Sequence, residues 1–267
     1  MDSPRRPEGA SRARPGAASG SAAAATGSVA AATDSAVATA GSVAAGSDAA
    51  RPLRVWDLPT RLFHWTLVAC IVGSLVSVNL GGNAVGWHFR FGYAILALLL
   101  FRLLWGFAGS RYARFASFPP SPAAALRYLR GERGGSPGHN PLGAFSVYLM
   151  LAALAFQAAT GLFSNDDIMW EGPLAALVSN DTSNWLTTLH RINRFVVIAL
   201  IVLHLAAIAW YRWARKERLA ASMVSGDKWV VAPRAEPAAD GLRERLRALA
   251  LLCLSAAAVW LLVTRVA

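Results

Sequence analysis

The sequence predicts an all-α integral membrane protein with five transmembrane helices, on three observations. Of its 267 residues 55% are hydrophobic and 15% charged, where a soluble domain carries roughly 25% charged residues. The charges gather between apolar blocks that come close to the ~20 residues a helix needs to cross a bilayer. The net charge of +11 lies in basic residues flanking those blocks, a placement that fits lipid headgroups and topology better than a nucleic-acid face.

Taken in order, residues 1–50 are rich in Ala, Gly and Ser and hold no Trp, Phe, Leu or Ile. Such a segment cannot bury enough apolar surface to offset its ordering entropy, so it reads as disordered, and it lacks the continuous aliphatic stretch of a secretory signal. The first span, 62–80, has no charged side chain; the second, about 87–108, contains Arg90 and Arg102; the third, 142–164, is again uncharged. The fourth runs over about 186–211 and the fifth, shorter and without histidine, over 248–264. Residues 51–230 thus form the main membrane domain, and 231–267 a linker with a peripheral last helix.

Charge in the connections orients the spans. Segment 109–140 holds five arginines against Glu132, and Arg212, Arg215, Lys216 and Arg218 follow the fourth span. Segment 165–184 instead holds Asp166, Asp167, Glu171 and Asp181 with no Lys or Arg. By the positive-inside rule the basic loops and the N-terminus are cytoplasmic, and an odd helix count puts the C-terminus outside. Cys70 and Cys253 lie in apolar segments outside any C-x-x-C-H run, which excludes covalent c-type haem attachment.

Four of the five histidines fall in or at the ends of spans. His190 and His204 are fourteen residues apart, about 1,400° of helix, so they share a face at axial positions roughly 21 Å apart. One metal ion cannot bridge that gap, but two stacked sites can. Depth pairs His88 with His190 at the outer level and His64 with His204 at the inner. Two imidazoles from different helices at each level are what bis-histidine b-type haem ligation requires. A single intramembrane histidine can equally be an interhelical hydrogen-bonded contact, and the pairing by level is what favours ligation. No span holds an Asp or Glu for a carboxylate relay or a hard cation.

Haem propionates call for arginine, whose fork binds carboxylates in a bidentate manner. Arg102, fourteen residues after His88, and Arg61, one turn before His64, are expected at inner propionates, and Arg191 or Arg194 at outer ones. Gly73, Gly92 and Gly161 leave room for a flat macrocycle or a neighbouring helix. The tryptophans at span boundaries form an aromatic belt. His139, in the turn before the third span, is either structural or a quinone- or proton-handling residue near the inner haem.

Six stretches carry a resemblance: "WDLPTRLFHW", "GWHFRFGY", "RLLWGFAGSRYARFASF", "GHNPLGA", "QAATGLF" and the two-histidine fourth span. Over about 54–228, ending in "SMVSGDK", the chain resembles the prokaryotic cytochrome b561 family, which is related to the membrane cytochrome b subunits of nickel–iron hydrogenases. The resemblance implies a four-helix bundle holding two b haems on His64, His88, His190 and His204. It implies electron transfer between a quinone pool and a soluble or periplasmic redox partner, in the bacterial inner membrane. Residues 1–50 and the fifth helix lie outside that pattern. Two other classes stand beside this reading: a stand-alone quinone-reducing oxidase of a small species such as superoxide, steered by Arg191 and Arg194, and a haem-free transporter or scaffold.

Overall fold

The computed structural model describes residues 50–132, 134–231 and 234–266. The expectation of disorder over 1–50 therefore falls, apart from Ala50, outside the described residues.

Three of the five long helices begin at a side-chain cap. Asp57 opens α1 (Leu58–Leu80) by accepting from the Thr60 N–H at 2.7 Å, with Pro59 in the first turn. Gly81 and Gly82, both at positive φ, end it. α2 (Val85–Ala108) returns and stops at Gly109. Ser121 caps the short α3 (Pro122–Leu129), and Asn140 caps α4 (Pro141–Gly161), with proline at the start of each. Ser179 caps α5 (Asn180–Trp213), which starts six residues before the predicted span because polar Asn180–Asn184 continue the helix beyond the apolar stretch. After α6 (Leu219–Ser225) comes α7 (Leu242–Leu261). Among the described residues, five helices are long and apolar enough to cross a membrane.

α1 packs along α2 and α4 along α5, and the two pairs meet through α2 and α4. Phe63, Leu67, Leu98, Phe101, Trp105, Leu154 and Val197 form the core between them. Among the described residues α5 packs closely only on α4 and the short α6, and so stands off from α1 and α2. α7 lies against α2 and adds Ala248 to the core.

A two-stranded antiparallel ribbon, absent from the sequence reading, covers the basic end. β1 (Arg51–Arg54) pairs with β2 (Asp227–Val230), Arg54 opposite Asp227. The chain after β2 runs back along β1: the Ala238 N–H donates to the Arg54 carbonyl, and Arg51 Nη2 to that of Ala235. Leu53, Val55, Trp56, Tyr112 and Ala238 make a second small core there. Asp240 ties the parts together: it accepts from the Leu58 N–H at 3.0 Å and pairs with Arg54, Arg61 and Arg245.

Candidate functional site

At the acidic end, where the 165–184 connection lies, α1, α2, α4 and α5 enclose a cavity of about 390 Å³. That falls within the range of about 300–1,000 Å³ usual for cofactor sites. His88 at the start of α2 and His190 near the start of α5 both line it. Their ring centroids are 6.1 Å apart with planes at 88°. Two imidazole–metal bonds of about 2 Å each, with the half-width of each ring, add to about 6 Å.

The far side of each ring is fastened to a carbonyl. His88 Nδ1 donates to the Ser74 carbonyl at 3.0 Å, with Ser74 Oγ at 2.9 Å. His190 Nδ1 donates to the Gln157 carbonyl at 2.9 Å, with Thr160 Oγ1 at 3.4 Å. A carbonyl can only accept, so both protons sit on Nδ1 and both Nε2 lone pairs are free, the arrangement of metal-ligating histidines. Gln157 is itself held: its amide donates to the His190 carbonyl and accepts from Asn193 Nδ2 at 2.7 Å. Ser74, Gln157, Thr160 and Asn193 were not singled out from the sequence, where each reads only as a polar residue inside an apolar span.

Two of the three singled-out glycines shape this cavity. Gly92, one turn beyond His88, has nothing within 4 Å of where a Cβ would stand, so its face is open to a flat group. A Cβ on Gly161 would come within 2.9 Å of His190 Cε1 and 3.2 Å of its Nδ1. Gly161→Ala is therefore expected to turn the His190 ring off the Gln157 carbonyl and to lower bound haem in purified protein at unchanged expression, with Gly161→Val losing more. Gly73 belongs to packing instead, against the Phe91 ring.

Arg191 and Arg194 also line the cavity, the Arg194 guanidinium lying 4.8 Å over the Phe195 ring. Two imidazoles suit an iron whose other four positions a porphyrin fills, and two neighbouring guanidinium groups suit its propionates. Among the described residues no three His, Cys, Asp or Glu side chains gather as a site for a bare metal ion.

The basic end fits by a different observation. Seven buried side-chain polar atoms among the described residues have no hydrogen-bond partner, and six belong to this end: Thr60 Oγ1, Arg61 Nε, His64 Nδ1, Arg102 Nη1, Ser110 Oγ and His139 Nδ1. Native interiors leave few such groups unpaired, so their concentration marks a place for a polar ligand. His64 and His204 lie within electrostatic reach of each other. Arg102 is 5% exposed, with its guanidinium 4.7 Å over the Phe115 ring. Arg61 is engaged elsewhere, Nη1 donating to the Val224 carbonyl at 2.6 Å and Nη2 lying 3.9 Å from Asp240.

His139 packs between Trp56 and Phe118, at centroid distances of 4.9 and 4.1 Å. Burial, then the charges of Arg102 and Lys228, pushes its imidazole down to about 3. The unfolded chain therefore takes up this proton first, and stability falls as pH drops from about 6.5 towards about 3. His139→Gln is expected to flatten that part of the curve, as read by thermal unfolding at successive pH values.

Comparison with known proteins places the chain in a family. The sequence profile of "Prokaryotic cytochrome b561" matches residues 55–226. A "Probable Ni/Fe-hydrogenase B-type cytochrome subunit" of Rhizobium leguminosarum bv. viciae is 25% identical over 209 residues, covering 65% of this chain and 87% of that protein. A protein of the same description from Bradyrhizobium diazoefficiens is 24% identical over 213 residues, covering 65% and 85%. No solved structure matches significantly. With all but the β1–β2 ribbon and the last helix inside the matched region, the chain belongs to the prokaryotic cytochrome b561 family and is a membrane b-type cytochrome of electron transfer.

Proposed function

We propose that this protein carries electrons across the bacterial inner membrane through two bis-histidine b haems, between a quinone pool and a redox protein. The observation that carries the reading is the His88–His190 pair, 6.1 Å apart with both Nδ1 atoms committed to carbonyls. His64 and His204 are assigned the second haem, at the level where the unpaired polar atoms concentrate. Arg102 faces its propionates, with Arg61 contributing its Nε; Arg191 and Arg194 serve the outer haem. The haem supplies one-electron chemistry when bound. The chain holds the His88 and His190 imidazoles in the Nδ1–H tautomer, excludes water with Leu75, Val78 and Ile95, and neutralises carboxylates with arginine.

The charge asymmetry of the loops supports a cytoplasmic N-terminus, with the His64/His204 level inward. The relatives' names, each a cytochrome subunit, support a protein partner. Stand-alone oxidation of a small anion such as superoxide is the runner-up, favoured by Arg191 and Arg194 at the cavity and opposed by the acidic connection beside it.

Proteoliposomes with ferricyanide trapped inside test transmembrane transfer. External dithionite is expected to bleach the ferricyanide only when the protein is present, and His204→Leu to abolish the bleaching. Equal bleaching by wild type and His204→Leu would refute a two-haem path. Turnover with superoxide in the absence of any protein partner would favour the runner-up.

A further inference from the structure

The α4–α5 connection is built as a fixed ledge beside the acidic-end cavity. Asp166 Oδ1 accepts from the N–H groups of Ile168, Met169 and Trp170 at 3.0, 2.8 and 2.8 Å, and the Asp166 N–H donates to the Trp170 carbonyl. Asn165 pairs with Glu171 across the turn, and Asp167 holds a positive φ of 58°. The base of the turn is fastened to α5, the Asn165 N–H donating to Thr187 Oγ1 and Asn165 Nδ2 to Ser183 Oγ.

This framework pushes apolar side chains outward. Ile168 is 91% exposed and Met169 63%, beyond the apolar spans and in a segment with four carboxylates and no Lys or Arg. The next residue, Trp170, turns inward: it stacks on Phe89 at 5.9 Å and lines the cavity that holds His88 and His190. The N–H groups of Trp170 and Met169 keep the Asp166 carboxyl below the usual carboxylate range, so the ledge stays anionic in mildly acidic solution.

We propose that the ledge is the docking surface for a soluble redox protein whose contact face is an apolar patch ringed by Lys and Arg, with Trp170 joining that face to the cavity. The proposal rests on the reading that the cavity holds a haem. A fixed turn loses little conformational entropy on binding, and exposed apolar anchors inside a charged rim are the anatomy of a steered, short-lived interface. Anionic headgroups suit four carboxylates poorly, which favours a cationic protein over the lipid surface.

The test uses the full chain in nanodiscs, with cationic soluble cytochrome c and its lysine-succinylated, anionic form as probes. One electron passes from the chain's ferrous haem to the ferric probe, with no proton or bond change. Stopped-flow rates are expected to favour the cationic probe at least about tenfold and to fall steeply with salt. Ile168→Ser with Met169→Ser should slow the cationic probe about tenfold at unchanged haem content, and Asp167→Lys with Glu171→Lys should reverse the preference. Equal rates for both probes, or rates unmoved by both double variants, would overturn the proposal. So would a nitroxide at Ile168→Cys, in a Cys253→Ser background, relaxed more by oxygen than by an aqueous nickel chelate, since that places the ledge in lipid. If wild type lacked haem, the cavity reading would fail instead. Salt-sensitive equilibrium binding of the cationic probe, lost in Ile168→Ser with Met169→Ser, would still support the ledge, and its absence would overturn it.

Discussion

Replacing His190 with leucine is expected to remove the outer haem and leave the inner one bound. The leucine fills the space beside Gly161 but offers no lone pair, so His88 faces the cavity alone with one donor for an iron that needs two. The Gln157 carbonyl loses its Nδ1–H donor, although the Gln157 amide keeps the backbone of α4 against α5. Fold and insertion should therefore persist. The expected readout is about half the wild-type haem per protein, with the potential of the remaining haem little changed. His204→Leu should give the complementary loss. Were His190→Leu to empty both sites equally in a folded protein, the assignment by level would be wrong.

The second large effect is on stability. Asp57 is fully buried, and its two oxygens do separate work: Oδ1 caps α1 through the Thr60 N–H, and Oδ2 accepts from the equally buried Trp105 Nε1 at 3.2 Å. Asp57→Ala removes a helix cap, about 1 kcal/mol, and leaves a buried indole donor unpaired, about 1–3 kcal/mol. It also takes a carboxylate from the neighbourhood of buried Arg102, so the total expected is about 2–5 kcal/mol. Asp57→Asn retains an acceptor for the cap but offers an N–H₂ toward Trp105, and should lie between the two. Thermal unfolding in detergent measures both. Equal unfolding temperatures for wild type and Asp57→Ala would contradict this account of the basic end.

Much of this was legible in the residues themselves. Apolar runs poor in charge marked the spans, because bilayer thickness fixes their length and exposed polar groups are costly there. The 3.6-residue period put His190 and His204 on one face. The connection signs separated the acidic end from the basic one, where His88 and His190 on one side and the β1–β2 ribbon on the other now mark the two ends. What escaped depends on long-range contact. Nothing in "RPLR" or "DKWV" indicates that these stretches pair, since their register comes from chain returning 173 residues later through Arg54 and Asp227. The roles of Ser74 and Gln157 depend on which carbonyl faces which imidazole, and spacing along one helix does not carry that. Arg61 shows the converse: one turn before His64 it looked free for a propionate, but α6 and Asp240, distant in sequence, engage its Nη atoms. Asp57 did leave a signal, an Asp ahead of Leu-Pro at the head of an apolar run, the mark of a helix start.

The measurement that bears most directly on the central claim is the haem-to-protein ratio of the purified full chain, read from its reduced-minus-oxidised absorbance spectrum after haem-sufficient expression. B-type bands at two haems per chain are expected. A ratio of one would contradict the pairing of His64 with His204 and His88 with His190, and absence of b-type bands would contradict haem ligation altogether.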